Sequence, residues 1–332
     1  MKYLRFLGFP FTILYGFVTA MRNYMYNKGW LKSTEYDIPV ICVGNLSVGG
    51  TGKSPMIAYL VSLLKDEYKV AVLSRGYKRK TSGYLEVKED HTARDVGDEP
   101  LQFKQNFPNI TVAVCADRRS GIEILKSKAN LILLDDAFQH RKVKAKVNIL
   151  LTPYNDLYID DYLLPMGKLR EAITSVARAD IVVVTKCPDG YPYSKQQETQ
   201  FRLSLKPHQK LYFSKVGYDK MIYGKSEKLP LTYLLDKPFT LVTGIANPKP
   251  LVAFLKKKGY RFTHEKYPDH HDFTKSEIVK LSKQEIILTT EKDYMRLQPH
   301  IDKFALYYLP IKTILLNDQQ PFFKKRIEEG IS

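Results

Sequence analysis

The chain has 332 residues, of which 44% are hydrophobic and 26% are charged. This balance excludes a disordered or fibrous protein, and the length corresponds to about two ordinary domains. The 52 lysines and arginines outnumber the 35 aspartates and glutamates, so the net charge is +17. Such a surplus indicates an anionic partner, which is nucleic acid, anionic lipid or a phosphorylated substrate.

Cys42, Cys115 and Cys187 form no CxxC pair, which argues against a disulfide framework or a zinc site. Each cysteine lies in or beside an apolar run, so we expect three small buried side chains in a protein of a reducing compartment.

The N-terminal segment is apolar with basic flanks. Residues 6–20 are almost all apolar but too few to cross a membrane, which takes about 20. A core helix and a cleaved or spanning segment are alternatives. The missing cleavage site and the absence of any acid before Glu35 favour a helix lying in the surface of an anionic membrane.

From residue 38 onwards, short apolar runs alternate with helical stretches. Strands are predicted at residues 38–44, 70–74, 111–115, 131–134, 147–151 and 181–185, with helices at 53–65, 98–105 and 117–128. Unbroken apolar strands separated by helices predict an α/β fold whose parallel sheet is covered by helices on both faces.

The pattern weakens after residue 186 and then resumes. Further strands are predicted at residues 239–244, 286–288, 305–309 and 311–316, with helices at 248–258, 291–297 and 320–329. We therefore expect three parts: a membrane-associating helix (1–34), a first α/β domain (35–205) and a smaller α/β domain (206–332).

A phosphate-binding loop follows the first predicted strand. Residues 43–54 read VGNLSVGGTGKS and lead into a helix. Glycines allow backbone N–H groups to approach phosphate, Lys53 can reach the β- and γ-phosphates, and the Ser54 hydroxyl can ligate Mg²⁺. Ser47 stands where the strict pattern has its first glycine, and Val48 stands where MinD-type ATPases with a deviant loop carry a lysine.

Two acids follow a later apolar strand. Asp135 and Asp136 come directly after the run at residues 131–134. A carboxylate at the end of a buried strand is costly unless it is solvated or binds a cation. The phosphate loop and the two acids together therefore predict nucleotide binding with Mg²⁺.

Eight further blocks accompany the loop in a fixed order. They are SRGYKR (74–79), VGDEP (96–100), DRR (117–119), DDAFQH (135–140), PMGKLRE (165–171), TGIANP (243–248), DHHDF (269–273) and TTEKD (289–293). This ordered set resembles the tetraacyldisaccharide 4'-kinase family of lipid A biosynthesis, from the N-terminal segment to about residue 300.

The resemblance implies an activity and a location. Members of the family transfer the γ-phosphate of ATP to the 4'-hydroxyl of tetraacyldisaccharide 1-phosphate, which gives lipid IVA. They work as peripheral proteins at the cytoplasmic face of the inner membrane. The expected architecture is a P-loop domain joined to a smaller α/β domain, with the active site in the cleft between them. We expect a monomer whose partners are the glycolipid and the anionic membrane surface, with no nucleic acid.

The resemblance also implies roles for individual residues. Asp98 is expected to be the base on the sugar hydroxyl, with a partner that is either His270 or His271. Lys53 and Arg170 are also expected to act in catalysis, and Ser54, Asp135 and Asp136 are expected to bind the metal ion. The residues expected to bind nucleotide are Ser47, Val48, Gly49, Gly50, Thr51, Gly52, Lys53, Ser54 and Glu171. The residues expected to bind the acceptor are Glu99, Arg118, Arg119, Gln139 and His140.

Two other classes of protein stay open at this stage. A regulatory ATPase of the MinD type would switch a partner instead of phosphorylating a metabolite, but it should carry the lysine that Val48 replaces. The net charge of +17 alone suggests nucleic-acid binding, yet the sequence contains no recognised nucleic-acid module. ATP consumption that requires a glycolipid acceptor would separate the kinase from both.

Overall fold

The computed structural model describes residues 8–269, 271–301 and 305–332. Its strands are β1 Val40–Asn45, β2 Val70–Ser74, β3 Leu85–Glu86, β4 Thr111–Val114, β5 Leu131–Asp135, β6 Val147–Pro153, β7 Ile181–Thr185, β8 Lys210–Tyr218, β9 Met221–Tyr223, β10 Lys228–Pro230, β11 Phe239–Thr243, β12 Phe262–Lys266, β13 Ile287–Thr289, β14 Leu306–Tyr308 and β15 Ile311–Leu315.

The helices alternate with these strands. They are α1 Phe9–Asn27, α2 Lys53–Leu64, α3 Ala93–Val96, α4 Asp98–Asn106, α5 Arg118–Leu125, α6 Tyr193–Leu203, α7 Lys249–Lys257, α8 Lys275–Ser282, α9 Glu291–Leu297 and α10 Gln320–Ile331, with 3₁₀ turns at Tyr158–Asp160, Ile173–Arg178 and Leu231–Leu234.

Within the described residues, the strands form two sheets. The larger has the order β15-β8-β7-β6-β1-β5-β2-β4-β3, and the smaller has the order β10-β9-β14-β13-β11-β12. In the larger sheet only the edge strands β3 and β15 run antiparallel to their neighbours. Strands β1, β2, β5 and β7 are buried along their whole length, as expected for parallel strands covered on both faces. The predicted α/β fold is confirmed.

The C-terminal residues return to the larger sheet. Strand β15 pairs with β8, and Phe323, Ile327 and Ile331 of α10 pack in the same core as the strands around β1. The smaller sheet therefore comprises strands between residues 221 and 308, a division that does not coincide with the predicted boundary at 205/206.

Helix α1 extends beyond the apolar run predicted at residues 6–20 and ends at Asn27. In the part of the chain that the structure covers, no helix combines the length and the apolar character needed to cross a bilayer. The three cysteines are buried and unpaired, as predicted.

Candidate functional site

The phosphate loop joins β1 to α2, and residues at the end of β7 donate hydrogen bonds to it. Gly49 and Gly52 adopt φ angles of 115° and 97°, a region that favours glycine. The Thr185 hydroxyl donates to the Thr51 carbonyl oxygen at 2.7 Å, and Nζ of Lys186 donates to the Gly50 carbonyl oxygen. Neither contact was predicted, because they join segments more than a hundred residues apart in sequence. These two contacts tie Gly50 and Thr51 of the loop to the end of β7.

A buried asparagine organises the charges beside the loop. Oδ1 of Asn45, at the end of β1, accepts from Nζ of Lys53 at 3.3 Å and from Arg170. Asp136 lies 3.7 Å from Lys53 Nζ and 2.8 Å from Arg170 Nη2. Sequence reasoning missed Asn45, although an asparagine ending a fully buried strand is a signal of such a role. The structure brings together Lys53, Asp136 and Arg170, three of the residues named as candidates from the sequence.

The two acids after β5 differ in environment. Burial raises the pKa of Asp135 to about 6, whereas Lys53 and Arg170 outweigh burial at Asp136 and hold its pKa below the usual range. Oδ2 of Asp135 accepts from the Ser74 hydroxyl at 3.1 Å, while its Oδ1 is buried without a hydrogen-bond partner among the described residues. Ser54 lines the same cavity. An unsatisfied carboxylate oxygen, a second carboxylate and a hydroxyl are the donor set that Mg²⁺ prefers, so the residues fit this ion.

These groups line one cavity of about 700 Å³. The predicted residues that line it are Val48, Gly49, Lys53, Ser54, Glu99, Arg118, Asp135, Asp136, Gln139, His140 and Arg170, and those that were not predicted are Arg22, Ser74, Arg75, Tyr77 and Ala116. Cations and acids at the carboxyl ends of parallel strands, beside a phosphate loop, form a suitable site for a polyanionic nucleotide.

Several residues expected to bind acceptor have structural partners. Arg118 is buried and donates to the carbonyl oxygens of Cys115 at 2.8 Å and Asp135 at 3.2 Å, so it supports the cavity floor. Arg119 lies outside the cavity and pairs with Asp117 at 3.2 Å. Gln139 donates to the Asn45 carbonyl oxygen at 2.9 Å.

His140 lines the cavity but is neutral near physiological pH. Burial and the nearby Arg118 lower its pKa to about 4. It can therefore offer a hydrogen bond to a ligand, but no positive charge.

Glu171 lies outside the cavity, beneath helix α1. It is 1% exposed and pairs with Arg178 at 2.8 Å, and Asn23 of α1 donates to it at 3.0 Å. Ser47 is also buried, and its carbonyl oxygen accepts from Asn45. The structure gives both residues contacts with the surrounding protein, so their proposed contacts with nucleotide stay predictions.

Helix α1 docks directly on the site. The Tyr15 hydroxyl donates to the Arg170 carbonyl oxygen at 2.9 Å, and Arg22 donates to the Gln139 carbonyl oxygen at 2.7 Å. Arg22 thereby reaches the cavity wall. The helix predicted as a membrane element is also part of the site.

Asp98 and Glu99 begin α4 and face helix α9 of the smaller sheet. Asp98 pairs with Arg296, and Glu99 with Lys292 at 2.7 Å. The expected histidine partner of Asp98 is not established. Nε2 of His271 lies 2.9 Å from Oε2 of Glu277, and the His271 ring stacks on Tyr267. His270 lies outside the described residues, so the pairing of a histidine with Asp98 stays a prediction.

Glu291 is buried between α9 and α4, where it accepts from Gln102 at 2.5 Å and from Asn106. Burial raises its pKa from 4.5 to about 7, although both hydrogen bonds oppose the shift.

We predict that Glu291 makes folding less favourable as pH rises. The unfolded carboxyl loses its proton near pH 4.5 and the folded one near pH 7, so stability decreases across this window, by at most about 3 kcal/mol. Urea denaturation at pH 5 and pH 8 should show a smaller decrease for Glu291→Gln than for the unmodified chain. Equal decreases in both proteins would contradict the assignment.

Comparisons with known proteins agree over the whole chain. The profile of the family described as "Tetraacyldisaccharide-1-P 4'-kinase" matches residues 4–331. The tetraacyldisaccharide 4'-kinase of Flavobacterium johnsoniae is 49% identical over 328 residues, which cover 97% of this chain and 96% of the relative. That of Porphyromonas gingivalis is 42% identical over 340 residues, with 96% and 95% covered.

A solved structure matches as well. The crystal structure of LpxK from Aquifex aeolicus in complex with ATP superposes with a TM-score of 0.81 at 32% identity, covering 99% of this chain and 100% of that one. Neither a MinD-type switch nor a nucleic-acid-binding protein is needed to account for the loop or the charge. The chain belongs to the tetraacyldisaccharide 1-phosphate 4'-kinase family.

Proposed function

We propose that this chain transfers the γ-phosphate of ATP to the 4'-hydroxyl of tetraacyldisaccharide 1-phosphate, giving lipid IVA in lipid A biosynthesis. The observation that carries the proposal is the cluster of Lys53, Asp136 and Arg170 beside a preformed phosphate loop, in a cavity that Glu99 also lines. The test is transfer of ³²P from labelled Mg-ATP to the disaccharide 1-phosphate by purified protein. Release of labelled inorganic phosphate, or labelling of the protein itself, without any labelled disaccharide would contradict it.

The reaction depends on positioning and charge neutralisation. Lys53 and Arg170 lie on one side of the cavity, where they would stabilise the charge that develops on the transferred phosphoryl group. Asp98 begins the helix that places Glu99 in the cavity wall, and it is proposed to accept the proton of the attacking hydroxyl. The acceptor oxygen bonds to phosphorus while the bond from phosphorus to the β-phosphate oxygen breaks, which yields ADP and the 4'-phosphate.

Mg²⁺ is proposed to be held by Asp135, Asp136 and Ser54. When bound, it would neutralise phosphate charge, as in other phosphoryl-transfer enzymes. Support comes from Oδ1 of Asp135, which has no hydrogen-bond partner among the described residues, since a buried oxygen of this kind is costly without a cation.

Helix α1 is proposed to hold the protein on the cytoplasmic face of the inner membrane. One side docks on the site through Tyr15, Arg22 and Asn23. Large apolar side chains, each more than half exposed, are carried by the same helix: Phe9, Phe11, Ile13, Leu14, Phe17, Val18, Met21 and Tyr24. Such a contiguous apolar patch is unusual on a protein surface in water and suits the acyl region of a bilayer.

Replacing three of these side chains should release the protein from membranes. Phe11→Ser, Leu14→Ser and Phe17→Ser together remove apolar area that contacts lipid but leave the helix contacts with Arg170 and Glu171 in place. We expect the triple variant to lose most of its sedimentation with phosphatidylglycerol-containing vesicles while it keeps its affinity for ATP. Deletion of the whole helix is a poorer test, because it also removes Tyr15, Arg22 and Asn23 from the site.

A matched control is available on the larger domain. Tyr193 and Phe201 of α6 are aromatic residues at least as exposed as those replaced in α1, so Tyr193→Ser with Phe201→Ser tests for non-specific effects. This control should sediment like the unmodified chain. If the α1 variant also does so, then the helix is not the anchor.

A further inference from the structure

Helix α9 connects strands β13 and β14 of the smaller sheet, and helix α4 precedes strand β4 of the larger sheet. The two helices contact each other through a row of paired side chains. Arg296 pairs with Asp98, Lys292 with Glu99 at 2.7 Å, and Glu291 accepts from Gln102 at 2.5 Å. The α4 partners lie at positions 98, 99 and 102, and their α9 partners follow in the reverse order at 296, 292 and 291, so the contact includes the end of α4 that carries Asp98.

The Arg296–Asp98 pair is shielded from solvent. The two side chains are 12% and 15% exposed, whereas pairs on the surface of the smaller domain, such as Lys280–Glu265, involve a lysine that is 58% exposed. Shielded, hydrogen-bonded pairs are weakly screened and hold a defined geometry. The orientation of the Asp98 carboxylate is therefore fixed from the smaller domain.

Arg296 is carried by a helix whose start is anchored. The Asp293 carboxylate accepts from the backbone N–H of Gly244 at 2.8 Å and from the Thr290 hydroxyl at 2.7 Å. Asp293 is wholly buried. The first contact ties α9 to the residue that follows β11, and the second caps the start of α9, so Arg296 is presented by a helix that is anchored to the smaller sheet.

We propose that Arg296 is a positioning residue for Asp98. By binding Oδ2 of Asp98, it fixes the rotation of the carboxylate that accepts the hydroxyl proton, and it does so only when α9 is docked on α4. The inference rests on the proposed function, in which Asp98 is the base. Arg296 itself need not touch the acceptor or the nucleotide. Docking of α9 on α4 thereby becomes a condition for Asp98 to act as the base.

The test compares Arg296→Gln, Arg296→Lys and the unmodified chain with Mg-ATP and tetraacyldisaccharide 1-phosphate. We expect Arg296→Gln to lower kcat about 10- to 100-fold, the size of effect that a small misplacement of a catalytic group produces. The KM for ATP should change less than about twofold, because the effect falls on the chemical step. Arg296→Lys should restore part of kcat, since it keeps the cation. Lys280→Gln, which removes a surface cation of the same domain, is the control and should be unaffected.

A double-mutant cycle separates positioning from a general structural role. If Arg296 acts through Asp98, then Arg296→Gln should cause no further loss in an Asp98→Asn background. Losses that multiply, or an unchanged kcat for Arg296→Gln, would overturn the proposal. If a thermal unfolding measurement shows that the Arg296→Gln variant is not folded, the same cycle is run with Arg296→Lys. Absence of transfer by the unmodified chain would instead refute the proposed function, so the two failures are distinguishable.

Discussion

Lys53→Ala is expected to abolish phosphoryl transfer. Nζ of Lys53 lies 3.3 Å from Oδ1 of Asn45 and 3.7 Å from Oδ1 of Asp136, on the wall of the cavity. A buried amide and a carboxylate therefore hold its ammonium group at the cavity wall. Removing it takes away a main side-chain cation that stabilises charge on the γ-phosphate, and phosphoryl transfer depends heavily on such contacts.

The loss should be at least about 10³-fold in kcat/KM, measured as ³²P transfer to the disaccharide. Lys65→Ala is the matched control, because Lys65 is the C-cap of the same helix and its side chain pairs with the exposed Asp66 at 3.8 Å. The control should retain full activity. A Lys53→Ala protein that keeps more than about a tenth of the rate would contradict the assignment of the phosphate loop.

Much of the fold follows from local patterns, and the exceptions have physical causes. Continuous apolar runs correctly predicted the buried strands β1, β2, β5, β6 and β7. Strand β12 was missed because it is an edge strand with the mixed sequence FTHEK, so no face of it is uniformly apolar. The return of β15 to β8 was also missed, since pairing between distant segments leaves no signature in either one.

The candidate site shows the same distinction between features that a local stretch of sequence predicts and features that depend on distant segments. The phosphate loop and the acids after β5 were predicted because each depends on a short stretch of chain. Contacts that join distant segments were not: Tyr15 and Arg170 are separated by 155 positions, and Asp98 and Arg296 by 198. The role of α1 in the cavity wall and the cation beside Asp98 could therefore not be predicted from the sequence and required the folded structure.

The second large effect concerns Asp98. It begins α4 beside Glu99, outside the phosphate loop, and its side chain is only 15% exposed. Asp98→Asn keeps the shape of the side chain but removes its capacity to accept a proton. The loop proposed to hold ATP, from Gly49 to Ser54, is tied to the end of β7 through Thr185 and Lys186. The substitution therefore separates chemistry from nucleotide binding.

We expect Asp98→Asn to lower kcat about 10²- to 10⁴-fold, the usual contribution of a general base, while the Kd for ATP stays within about threefold. Single-turnover transfer and equilibrium binding of labelled ATP measure the two quantities separately. A loss in kcat without a matching rise in the Kd for ATP is diagnostic, because an interaction made only as the hydroxyl attacks affects kcat and not ATP affinity. Weak ATP binding with normal turnover of the bound complex would make Asp98 a nucleotide or metal ligand. In that case Glu99, the acid that lines the cavity and pairs with Lys292, becomes the candidate base.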